Sequence, residues 1–239
     1  MSALAHYLED EGVPSVAIAL IRPQAEHTTP PRALWVPFEL GRPIGPPGDA
    51  AFQKRVIVAA LGLLETRRQA SLIADFPDDD PRETPDPGWR PPAVPAADGA
   101  EGTALAEALV AELRELAPRY AQSCTARLRS TVGLSGLPPA ECGDYVAAWL
   151  RGERPASPVP DMSPALALRF AIDDLKAFVL EAGIVSGAPS SRQLGDWLWN
   201  DTALGAALQV LRHECLVSDD ERLKAVAAFF VPALRVLPD

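Results

Sequence analysis

The sequence predicts an α/β (or α+β) protein: a small, mainly parallel sheet near the N-terminus followed by a mostly α-helical C-terminal region. Three observations carry that reading. Val16-Ala17-Ile18-Ala19-Leu20-Ile21 is an apolar run of strand length without polar alternation, as in a strand covered on both faces of a parallel sheet. Gly41, Pro43, Gly45, Pro46, Pro47 and Gly48 crowd into one loop ahead of a helical pattern. From Thr103 onward apolar residues recur at helical spacing almost to the end.

The elements follow in order. Leu4, Tyr7 and Leu8 share one face of a short helix, Leu4 to Glu11, which Gly12 stops. The run Val16 to Ile21 is the first strand and Arg22 to Pro31 its following loop. Ala33 to Val36 is the second strand, with Pro37 marking its end or a sheet edge. A helix from about Ala50 to Arg68 places Phe52, Val56, Ala59, Ala60 and Leu63 on one face. Between Pro77 and Pro95 the prolines and Asp78, Asp79, Asp80 and Asp86 leave too few N–H donors for helix or central strand. The reading therefore has three parts: an α/β segment at 1–74, a Pro-rich linker or excursion at 75–102, and a helical region at 103–239. Trp89, inside the excursion, is expected to dock its ring within the same chain.

In the helical region Leu105, Leu109, Leu113 and Leu116 form a stripe on Ala104 to Ser130, which Pro118 should kink or restart. Glu141 to Arg151 is a shorter helix. Ser163-Pro164 opens another, with Leu168, Ile172, Leu175 and Val179 as its stripe and Gly183 to Gly187 as its end. Ser190 with Gln193 and Ser218 with Glu221 fit capping boxes, and Leu204, Leu208, Leu211 and Cys215 make a further apolar face. Four to six helices are expected.

Composition narrows function by exclusion. The 239 residues hold 22 Lys+Arg against 32 Asp+Glu, a formal charge of -10, which disfavours a phosphate-backbone binder, so no nucleic acid is expected. The longest apolar stretches fall short of a bilayer span, Ser2 to Gly12 lacks a basic flank and apolar core, and the chain is expected to be cytoplasmic, without membrane contact. Three widely spaced cysteines, Cys124, Cys142 and Cys215, make neither a disulfide framework nor a Cys-x-x-Cys site. No metal set is recognisable and no cofactor is evident.

One stretch is more specific. Gly12-Val13-Pro14-Ser15, then Arg32, then Val36-Pro37-Phe38-Glu39-Leu40-Gly41-Arg42-Pro43, then Lys54-Arg55 stand in the order of a strand entry, an Arg-bearing loop, a Pro/Gly turn and a basic helix. In that order residues 7–66 resemble the closing α/β segment of the B subunit of the glycine, sarcosine, betaine and D-proline reductases (the selenoprotein B family). Its entry reads "GIPT" and its turn Ile-Pro-His-Pro-Leu-Gly-x-Pro. Phe38 stands here where the family turn has His, and Thr29, Pro30 and Pro31 where it has small residues. The family's selenocysteine or cysteine group lies upstream of the matched region, and no Cys precedes Cys124. The resemblance thus implies a reductase-type oxidoreductase component whose redox thiol comes from a partner, such as a Cys-bearing α/β subunit. The other expectation is a non-catalytic subunit or scaffold of a heteromeric complex.

Candidate site residues follow from strand-end geometry. Ligands of open α/β sheets bind beyond the carboxyl ends of strands, so the two loops are expected to share that edge. There Arg32 and Arg42 would hold a small carboxylate, Gly41 would let the backbone approach it, and Glu39 would stand beside it. The arginines pairing with Glu26 or Glu39 at the surface is the alternative. His27 is the acid–base candidate. His213-Glu214-Cys215 cannot converge on one point of a helix, and Cys215 belongs to an apolar stripe. Asp78-Asp79-Asp80 reads as solvated or cation-binding, and Trp197 and Trp199 as inter-helix packing with one ring available. A sheet of two strands is too small to stand alone, so helices must cover it or a second chain must extend it. A homo- or hetero-oligomer is therefore expected.

Overall fold

The computed structural model describes residues 2–66, 71–81, 84–95, 99–232 and 235, which divide into two compact units, 1–84 and 85–239. The first is α/β. Helix α1 (Ser2–Asp10) leads into strand β1 (Ala17–Ala19), helix α2 (Arg22–Thr28), strand β2 (Arg32–Trp35), helix α3 (Ala50–Gly62) and strand β3 (Leu72–Asp75). All three strands are parallel in the order β1-β2-β3, with Ile18 opposite Leu34 and Leu34 opposite Ala74. That register aligns Ile18, Leu34 and Ala74 on one face, where they pack with Phe52, Val56 and Ala60 of α3.

Three expectations need correction here. The sheet has three strands; β3 has only four residues beside a proline-rich stretch, too short for periodicity to show. Residues 22–28 form a helix instead of a loop, because Pro23 sits in the first turn, where its missing N–H costs nothing. And β1 is a short edge strand of intermediate burial, not one covered on both sides. The third helix ends at Gly62 in a 3₁₀ turn, Leu63–Glu65, and the remainder of its expected span at 67–68 lies outside the described residues.

After β2 the chain enters the Pro/Gly loop, and the unit's core closes over it. Phe38, Phe52 and Phe76 meet with centroids 5.5 to 5.9 Å apart. Gly45, at φ +88°, lies against that cluster: a Cβ there would stand 2.5 Å from the Phe52 ring.

The second unit is helical. Helices α4 (Gly102–Arg127), α5 (Pro139–Leu150) and α6 (Pro164–Gly183) pack on one another, and α7 (Ser191–Asp201), α8 (Ala203–Leu216) and α9 (Glu221–Ala227) complete the layer. The anticipated stripes are the core: Leu105, Leu109, Leu116, Leu168, Ile172, Leu175, Leu204, Leu208 and Leu211 are fully buried. Ser163 caps α6 and Ser190 with Gln193 forms a reciprocal capping box on α7. At α9 the cap is Asp220, which accepts from Arg222 N, while Ser218 Oγ accepts from Asp220 N; the Ser218/Glu221 box does not form. Pro118 neither ends nor restarts α4, which runs through it.

The segment 75–102 divides between the units. Phe76 and Asp80 are buried in the first, whereas Trp89 is buried in the second, donates from Nε1 to Gly183 O at 3.1 Å and meets Trp197 edge-on at 6.4 Å. The same-chain docking expected for Trp89 is what the fold shows.

Buried acids organise the helical unit through backbone amides. Asp174 accepts from the N–H groups of Gly133, Leu134 and Ser135 and from Ser135 Oγ; Glu181 accepts from Thr131 N and Oγ1. Both fix the α4–α5 connection onto α6. Glu112, fully buried on α4, accepts from Ala203 N at 2.6 Å and Leu204 N at 3.1 Å, the orphan donors opening α8.

Candidate functional site

Both proposed guanidinium groups belong to the first unit, at opposite ends of β2. Arg32 is the first residue of the strand, at its amino end, while Glu39, Gly41 and Arg42 follow its carboxyl end. Arg32 is 5% exposed; it donates to Glu9 Oε1 of α1 and, at 3.0 Å, to Thr66 O beyond α3. Glu9 Oε1 also accepts from Ser15 N at 2.7 Å. The carboxylate that Arg32 holds in this structure is thus one of the chain's own, and the pair ties α1 to β2.

His27 is exposed in the last turn of α2. Because α2 returns from the carboxyl end of β1 to the amino end of β2, His27 lies on the Arg32 side of the sheet and away from Arg42. Of the five candidates, only Glu39, Gly41 and Arg42 stand together beyond the carboxyl ends. Arg42 pairs there with Glu39 at 3.6 Å and with the fully buried Asp80 at 3.5 Å. Pairing with Glu39 is the alternative the sequence left open.

Residues not anticipated share this edge. Arg22, opening α2, contacts Glu26 at 2.9 Å and Asp75 at 2.5 Å, and its guanidinium lies 5.2 Å from the Trp35 ring centroid. Arg55 of α3 contacts Asp78 at 2.9 Å. The acidic stretch that ends β3 therefore receives an arginine from α2, from the Pro/Gly loop and from α3. No signal in the sequence pairs these charges, since each contact joins residues tens of positions apart. Among the described residues no three His, Cys, Asp or Glu side chains gather as metal ligands would.

A second feature of this unit is the free side of β1. Among the described residues this strand pairs in the sheet with β2 alone. Val36 N donates to Ala19 O at 3.0 Å, so in a parallel ladder the backbone groups of Ala17 and Ala19 face β2 and those of Ile18 face outward. Beside it runs a groove of about 300 Å3 lined by Ala17, Ile18, Ala19, Leu20 and Ile21, with Ala25, Thr28 and Leu40 as its walls. Consecutive strand residues alternate between faces, so a groove touching all five follows the strand's edge. Ile21 and Leu40 on its margin are 45% and 72% exposed.

The cysteines lie in the helical unit, all as free thiols. Burial pushes Cys142 and Cys215 up to about 11, which keeps both protonated at neutral pH. Cys215 lies on the buried stripe of α8, as its spacing implied. Trp197 is buried and Trp199 is half-buried against the same core. Among the described residues no helix is long and apolar enough to cross a membrane.

Comparison of the chain with protein-family models, with curated proteins and with solved structures finds no match.

Proposed function

We propose that this chain is a subunit of a cytoplasmic heteromeric complex, and that its α/β unit joins a neighbour by continuing the parallel sheet across β1. The observation that supports this reading is the one-sided pairing of β1 beside an apolar groove. Proteins that keep an edge strand free blunt it with charge, proline, a bulge or a very short strand. β1 has three residues, and Ala17-Ile18-Ala19-Leu20-Ile21 carries no charge or proline before Arg22. A strand laid along this edge pairs the outward N–H and C=O of Ile18 and covers Ile21 and Leu40.

The chemistry of such a complex follows from the reductase likeness of residues 7–66. A small carboxylate-bearing molecule is the substrate class, and the redox thiol comes from the partner, since the α/β unit that carries the likeness has no Cys, the first in the chain being Cys124. In this reading Glu39, Gly41 and Arg42 are the residues nearest the substrate, because they stand beyond the strand ends.

The test is to tag the chain in its native host, measure the stoichiometry of the recovered assembly by native mass spectrometry, and repeat with Ile18→Pro and Ile18→Ala. Proline removes an outward amide that the alanine variant keeps. Loss of the partner in Ile18→Pro and its retention in Ile18→Ala is the expected result. A chain recovered alone in all three cases, or an assembly that Ile18→Pro leaves intact, overturns the proposal.

A further inference from the structure

The helical unit holds a cavity of about 340 Å3 between α4, α5 and α6, within the size range of small-molecule sites. Its wall is apolar, with Leu113 and Ala117 from α4, Gly143 from α5 and Phe178 from α6. Helices α4 and α5 approach closely there, since a Cβ on Gly143 would stand 2.4 Å from Leu113 Cδ1. Tyr120 adds its ring to the wall, and its hydroxyl is already engaged by Ser130 Oγ at 2.9 Å.

Two charged residues complete the lining, Arg114 on α4 and Asp144 on α5, both exposed. They are not ion-paired with each other, and neither has a hydrogen bond or ion pair with another described residue. This contrasts with the arginines around the sheet, each of which meets an acid of its own chain. Arg114 and Asp144 each directly follow a residue of the close Leu113–Gly143 approach, and an apolar chamber with a cation and an anion so placed is complementary to a molecule that carries both charges at one end and an apolar group at the other.

We infer that this cavity binds a free α-amino acid with a large aliphatic or aromatic side chain. The side chain fills the chamber against Leu113 and the Tyr120–Phe178 ring pair, whose centroids are 4.7 Å apart, the carboxylate meets Arg114, and the ammonium meets Asp144. An apolar residue inside a partner's polypeptide fits less well, because its α-nitrogen and carbonyl carry no charge for either group. The inference rests on the helical unit alone and stands apart from the sheet-edge proposal.

The full chain is titrated with L-leucine and L-phenylalanine by calorimetry and by amide chemical shifts. The comparison ligands are 4-methylpentanoate, 3-methylbutylamine and N-acetyl-leucinamide, which lack the ammonium, the carboxylate and both charges. Saturable binding of at least one amino acid, with a Kd of about 1 mM or tighter, is expected, and each comparison ligand should bind about tenfold more weakly or worse. Arg114→Gln and Asp144→Asn should each weaken binding about tenfold at unchanged Tm, since both side chains are exposed. Ala117→Phe should fill the chamber and abolish binding. The inference is overturned if neither amino acid saturates, if N-acetyl-leucinamide binds as tightly as leucine, or if both charge substitutions leave the affinity unchanged.

Discussion

Replacing Glu112 by Gln should change how the helical unit's stability responds to pH. Glu112 is fully buried on α4 with two backbone N–H donors from the start of α8. Burial outweighs those donors and raises its carboxyl from 4.5 to about 7. At 1.36 kcal/mol per pH unit the interval corresponds to roughly 3 kcal/mol. The folded state holds this proton more tightly than the unfolded chain. The stabilisation is therefore complete below about pH 4.5, falls as pH rises toward 7, and is gone above it. The glutamine amide in its place would not ionise, but it has one oxygen where Glu112 uses both, so its NH2 would face either Ala203 N or Leu204 N. Relative to the native chain, Glu112→Gln should gain about 2.5 kcal/mol between pH 5 and pH 8, offset by a constant loss of about 1–3 kcal/mol for the backbone N–H left without an acceptor. Urea unfolding followed by far-ultraviolet circular dichroism at pH 5, 6, 7 and 8 measures this. If the stability curves of the two proteins run parallel across that range, the carboxyl does not titrate there and the reasoning fails.

Asp174 should behave in the opposite sense: although burial opposes it, its four donors hold the carboxyl below its usual 3.8, so its contribution is present above that pH and disappears as pH falls through the lowered value. Asp174→Ala should therefore destabilise the helical unit at pH 7 and matter less near pH 2, as read by thermal unfolding. Gly45→Ala should cost the α/β unit about 1–3 kcal/mol, from a Cβ 2.5 Å from Phe52 at a positive φ, measured by denaturant unfolding. Arg32→Met should cost about 3–5 kcal/mol by leaving Glu9 buried and unpaired, and adding Glu9→Leu should recover most of that loss in a double-mutant cycle.

How much of this was legible in the sequence depended on whether the signal was local. The stripe Leu168, Ile172, Leu175, Val179 and the caps Ser163 and Ser190 each rest on residues within a few turns, and the helices they mark are there. The stretch Arg22–Thr28 offers no apolar face, with Ala25 as its one buried residue, so only Pro23 hinted at a helix. At α9, Ser218 and Asp220 are both good caps two residues apart, and Asp220, beside the first helical residue, takes the role. The site was least legible. Arg32 meets Glu9 across 23 positions and Arg22 meets Asp75 across 53, separations that no motif encodes. Arg114 and Asp144 carried no signal at all, because a charge without a partner looks in sequence like any other surface charge.

That contrast gives a criterion for where in this chain a ligand's charge can be recognised. A guanidinium already engaged by a carboxylate must release it before accepting another, and for a buried pair such as Arg32 and Glu9 the released partner would be left in a low-dielectric surrounding. The cost is of the same order as the gain from a charge-assisted bond to a ligand, so exchange brings little net affinity. Arg42, 31% exposed, is the more accessible guanidinium, but exchange there would release the fully buried Asp80, so accessibility alone favours it over Arg32. Arg114 and Asp144 have no such pairing to break. Charged ligands should therefore be sought first at the helical cavity and next at Arg42, with Arg32 serving to hold α1 against the sheet.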